Sequence, residues 1–171
     1  MASTLSYPAV LVFFPVLMAL SASMDLLTFT IPNRICACLA LGYLVVGATL
    51  GVTVVDILFN LSCALVVLVV AFAMFSLGWV GGGDAKLAAA TALWLGWSLI
   101  LDYGATAAIF GGILTLALLS ARMVRLPAAL ERFTWIQRLH DLKAGVPYGI
   151  ALAAAGLAQY PHSQIWAAAV A

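Results

Sequence analysis

Long apolar runs, broken at short intervals by one or two polar residues, dominate this chain. A helix needs about 20 mostly apolar residues to cross a bilayer, with about 17 to 25 tolerated. The pattern therefore predicts crossings at residues 5–24, 35–51, 57–79, 85–101 and 104–121. A last crossing begins near residue 145 and reaches about residue 160. Residues 164–171 either continue it past Pro161 or lie at the surface, anchored by Trp166. Pro15 is a candidate kink in the first crossing. Asp25 stands at the end of that crossing, and an Ile31-Pro32-Asn33-Arg34 turn leads into the second. The fourth and fifth are separated by a tight connection at Asp102 and Tyr103.

Residues 122–144 form the one long polar connection. Leu126, Leu130, Phe133, Ile136 and Leu139 recur there at three- and four-residue spacing, with Glu131, Arg132, Arg138 and Asp141 between them. That periodicity predicts a helix lying in the membrane interface, with Pro127 in its first turn.

Composition agrees with the spans. Of 171 residues, 66% are hydrophobic and 8% charged, and the mean hydropathy is +1.19, far from the balance of a soluble domain. No polar stretch is long enough to fold alone, so the expectation is an all-α, polytopic membrane bundle of about six helices, with residues 1–171 as a single membrane-embedded domain. The first run lacks a basic n-region, since no Lys or Arg precedes Arg34, and reads as a retained span rather than a signal peptide. The net charge of +1 gives no reason to expect a nucleic-acid partner. Cys36, Cys38 and Cys63 lie in apolar segments without CxxC spacing, and two histidines do not make a zinc site, so neither metal nor cofactor is expected.

Charge placement predicts the orientation. Every Lys and Arg falls in a connection after an odd-numbered crossing, whereas the connections after the second and fourth hold only Asp56 and Asp102. The positive-inside rule then puts the odd connections in the cytoplasm and both termini outside. Asp25 and Asp84 share the cytoplasmic side, and His140 and His162 fall on opposite sides.

The most informative polar break is Gly81-Gly82-Gly83-Asp84-Ala85-Lys86-Leu87. Glycines ahead of a carboxylate leave the backbone open to close approach by another chain, and an ionisable group at a span edge is costly enough to suggest function. Two carboxylates facing each other at similar depth tend to share a proton. One can take a proton from a water attacking an amide while its partner donates to the carbonyl oxygen and then to the leaving amine. On spacing alone two other readings stand: Asp25 facing headgroups with Asp84 capping the fourth helix, or a small proton-coupled transporter, which would usually hold its acids nearer the midplane. Lys86 reads equally as a snorkelling anchor.

The glycine stretch resembles the GxGD motif, in its extended GxGDxKL form, of the type IV prepilin peptidases, which are membrane-embedded aspartic proteases. Asp25 ahead of Ile31-Pro32-Asn33 is similar to the region of that family's first catalytic aspartate, and Gly145-Val146-Pro147-Tyr148-Gly149 to its late Pro-Tyr-Gly or Pro-Phe-Gly segment. The resemblance implies Asp25 and Asp84 as the catalytic pair, and Gly81 and Gly83 as positions of backbone approach. For Pro147 it suggests substrate contact, beside the plain alternative of a first-turn proline. It further implies prepilin or pseudopilin substrates, cut where a short basic leader meets a hydrophobic helix, at the cytoplasmic face of a bacterial-type inner membrane. Larger members add a cytoplasmic CxxC domain that accompanies methylation. Nothing like it occurs here, so protease activity without methyl transfer is expected, as in the short peptidases of tight-adherence (Flp) pilus systems. The substrate's identity and the oligomeric state are not legible.

Overall fold

A computed structural model describes residues 6–127 and 129–170. Every regular element among them is helical: α1 (Ser6–Thr28), α2 (Asn33–Thr49), α3 (Val54–Ser76), α4 (Gly82–Arg122), α5 (Thr134–His140), α6 (Gly149–Gln159) and α7 (Gln164–Val170). Leu5, the outer limit of the first predicted crossing, and Ala171, the end of the 164–171 segment, lie outside the described residues. Stretches of α1, α3 and α4 are long and apolar enough to cross a membrane, and the shorter α2 is also apolar. Large apolar side chains such as Val69 and Phe72 point outward from α3, as expected of a helix whose surroundings are hydrocarbon. The chain is an all-α membrane-type bundle.

The sequence pattern misplaces one break. No connection interrupts the helix at Asp102 and Tyr103; the chain departs from helical geometry at Gly96, with φ 69° and ψ −175°. Only glycine adopts that conformation without strain. Beyond it the chain turns back. Gly156 of α6 packs by Thr91, before the break, whereas Tyr148 and Gln159 bond to Ala107 and Thr106, after it. Residues 82–95 and 97–122 are thus two antiparallel helices meeting at a single residue. Asn60 of α3 fits against the break: a Cβ on Gly96 would sit 2.5 Å from its Oδ1, while its Nδ2 donates to the Tyr43 hydroxyl at 2.8 Å.

The core gathers around Trp94, fully buried, with its indole N–H donating to the Leu39 carbonyl of α2 at 2.9 Å. Phe14 of α1, Tyr43 of α2 and Tyr160, just after α6, surround it, with ring centroids at 5.2, 5.8 and 6.1 Å. Pairs of this kind contribute about 0.5–1.5 kcal/mol each beyond burial. After Tyr160–His162, a 3-10 turn, α7 continues the chain with Ile165 and Ala169 buried.

The interfacial helix predicted over 122–144 is much shorter than its periodicity suggested. Arg122 ends α4, and among the described residues of the connection that follows only seven, Thr134–His140, are helical. Ahead of them, isolated turns close from Leu130 N–H to the Pro127 carbonyl and from Phe133 N–H to the Leu130 carbonyl. No residue of α5 is buried, so packing does not offset the cost of nucleating a longer helix.

Candidate active site

Asp25 lies inside the last turn of α1 rather than beyond its end, because the helix runs on to Thr28. The carboxylate is buried, at 5% exposure. Phe29 ends the helix: its N–H bonds the Asp25 carbonyl at 2.8 Å, and its φ of 56° occupies the left-handed region that glycine usually fills at this position. Extended backbone at Pro32 then opens α2.

Asp84 reaches the same place from α4. Gly81, extended at φ −70° and ψ 145°, is the N-cap, and Asp84 sits in the first turn, where a carboxylate suits the helix dipole. It is therefore not the N-cap itself. Its side chain folds back so closely that a Cβ on Gly81 would lie 2.8 Å from Asp84 Oδ2. Asp25 and Asp84 line one cavity of about 280 Å³, together with Phe29, Thr30 and the three glycines 81–83.

Two glycines make room for a single side chain. Ile31, buried in the turn between α1 and α2, lies against Gly83 and Gly149. A Cβ on Gly83 would be 3.2 Å from Ile31 Cβ and 3.4 Å from its backbone nitrogen, and one on Gly149 would be 2.7 Å from Ile31 Cδ1. The turn after α1, the start of α4 and the start of α6 therefore close on one residue. A Cβ on Gly82 would instead meet the Phe75 ring, at 3.3 Å.

The late glycine also holds a carboxylate. Gly149 N–H donates to Asp25 Oδ2 at 2.7 Å. Pro147, two residues earlier, is fully buried and is not on the cavity wall. Tyr148 fixes the segment by donating its hydroxyl to the Ala107 carbonyl at 3.1 Å and placing the hydroxyl end of its ring against Gly111, where a Cβ would not fit.

Basic residues crowd this end of the bundle. Lys86 Nζ donates to Asn33 Oδ1 at 2.9 Å. Arg138 of α5 donates to the Thr28 carbonyl at 3.2 Å and places its guanidinium 5.9 Å from the Phe29 ring centre. Arg122 donates to the Leu139 and Gly145 carbonyls at 2.7 and 3.0 Å. The other two span-end aspartates are elsewhere: Asp56 accepts from the Thr53 hydroxyl at the start of α3, and Asp102 shares a separate cavity with His162. No three or more His, Cys, Asp or Glu cluster as metal ligands among the described residues.

The structure thus brings Asp25, Asp84, Gly81 and Gly83 together and leaves Pro147 behind the wall. Sequence reasoning assigned no role to Gly149, Phe29 or Arg138. Gly149 was visible as the closing residue of the Gly145–Gly149 segment, but nothing local connects it to Asp25.

A sequence model of the type IV leader peptidase family matches residues 12–116, well over half of the chain, from α1 into the second arm of α4. No curated protein and no solved structure matches.

Proposed function

This chain belongs to the type IV leader peptidase family, and from that premise we propose that it is an aspartic endopeptidase in which Asp25 and Asp84 are the catalytic pair. Its substrates are prepilins or pseudopilins, cut between the short leader and the apolar helix that follows. One observation carries the assignment of the pair: two aspartates from separate helices line the same cavity, walled by glycines.

The chemistry needs no covalent intermediate. A water between the carboxylates loses a proton to the ionised one while its oxygen bonds to the scissile carbonyl carbon. The protonated partner donates to the carbonyl oxygen, and the C–N bond breaks as a proton passes to the departing amine. The buried Gly149 N–H fixes the direction of one of these carboxylates, and orientation of this kind is a large share of what an active site supplies. The glycine wall leaves room for the extended backbone of a substrate.

The cavity opens at the cytoplasmic face of the inner membrane. Arg122, Arg138 and Lys86 bond at this end of the bundle, which supports that orientation by the positive-inside rule. Co-expression with a prepilin, followed by the mass of the product, tests the reading; an intact leader in the presence of correctly inserted protein would count against it.

A further inference from the structure

Helices α2 and α3 each pack on α4 and scarcely on each other. They meet near their connection, where Tyr43 bonds Asn60 at 2.8 Å and Gly47 lies by Ile57. Toward the end that holds Asp25 and Asp84 they splay apart. The gap is a groove of about 360 Å³ whose floor is the first arm of α4.

Three features say what fits there. The groove is apolar along its length, lined by leucines of α3 and α4 and by small side chains on each of the three helices: Ala37 and Ala40, Ala64, and Ala89 and Ala90. Small residues at such spacing let another helix approach closely in a bilayer. Its polar groups, Asn33 and Lys86, stand together at one end, bonded to each other. Asn33 also lines the cavity of the two aspartates, so groove and cavity adjoin at that residue. An occupant must be apolar along the groove and turn polar where it enters the cavity.

We propose that the groove between α2 and α3 receives the transmembrane helix of the substrate, seating it so that the residues just ahead of that helix lie between Asp25 and Asp84. This rests on the leader-peptidase reading above and adds a second recognition surface to it: the apolar helix that follows the cut.

The test uses the full chain in membranes, carrying Asp84→Asn to hold substrate uncut, with a photo-crosslinking residue at position 37 or 65 in the groove, or at position 113 or 116 on the far arm of α4. The probe is a prepilin with its leader and complete apolar helix. Adducts between the groove positions and the prepilin helix, and none from 113 or 116, are expected. Equal adducts at both faces, or groove adducts with lipid alone, would overturn the proposal. In the active enzyme, Ala37→Trp fills the groove and should raise KM for the prepilin about tenfold, whereas Ile113→Trp should leave it unchanged. An unchanged KM for Ala37→Trp also counts against the groove. The two readings fail separately: a wild-type enzyme that cleaves no prepilin removes the peptidase assignment and the groove with it, whereas cleavage without groove adducts removes the groove alone.

Discussion

The backbone N–H of Gly149 donates to Asp25 Oδ2 at 2.7 Å, joining the last turn of the first helix to a residue 124 positions later. A Cβ at position 149 would stand 2.8 Å from that same oxygen and 2.7 Å from Ile31 Cδ1. Hydrogen bond and missing side chain are one device: only a glycine brings its N–H this close. Gly149→Ala should therefore turn the Asp25 carboxylate aside. We expect its cleavage rate to fall about a hundredfold, the usual scale for displacing a reacting group by about 1 Å, with normal insertion in the membrane. An unchanged rate would separate Gly149 from the site.

The three glycines ahead of Asp84 should not respond alike. Gly81→Ala presses on Asp84 Oδ2 and Gly83→Ala on the Ile31 backbone, so both should lose most activity. Gly82→Ala meets only the exposed Phe75 ring at 3.3 Å, which can swing away. Its activity should stay near wild type, and alanine's better helix propensity should add up to about 1 kcal/mol of stability. Cleavage rates and detergent melting curves of the three variants check the order.

Gly96 carries the reversal between the two arms of α4. Gly96→Ala forces a side chain into a glycine-only conformation and into Asn60 Oδ1, 2.5 Å away. The expected cost is about 2–4 kcal/mol, from backbone strain and a disturbed buried hydrogen bond. It should appear as a lowered unfolding midpoint in mild detergent. A midpoint equal to wild type would mean the reversal is not held at this residue.

Arg138 ties α5 to the end of α1 through the Thr28 carbonyl and the Phe29 ring. Arg138→Ala should loosen the 123–146 connection, seen as faster proteolytic nicking there. The loss of stability should be small, about 1 kcal/mol or less, because both contacts are exposed. Nicking at the wild-type rate would show that Arg138 does not hold the connection.

Much of this architecture could be read from span length and charge. The helices α1, α2 and α3 fall within a few residues of their predicted limits, because a bilayer demands unbroken apolar length. The reversal at Gly96 was missed because it uses no polar residue: one glycine between Leu95 and Trp97 does what Asp102 and Tyr103 were expected to do. Charge placement led to the expectation that Asp25 and Asp84 share one side of the membrane, but whether they meet was not legible: their place at one cavity appears only once α1 and α4 are packed. Ile31 as the common contact of Gly83 and Gly149 was not, since that relation exists only once α1, α4 and α6 are packed. The interfacial helix shows the opposite error, a periodic pattern that is helical over only Thr134–His140.

The most direct measurement of the central claim is leader removal by purified protein in lipid vesicles, with Asp25→Asn and Asp84→Asn beside the wild type and prepilin mass as the readout. Because the two carboxylates act on one water, each single variant should abolish cleavage, and the double variant should be no worse than either. Cleavage retained by either single variant would contradict the catalytic pair.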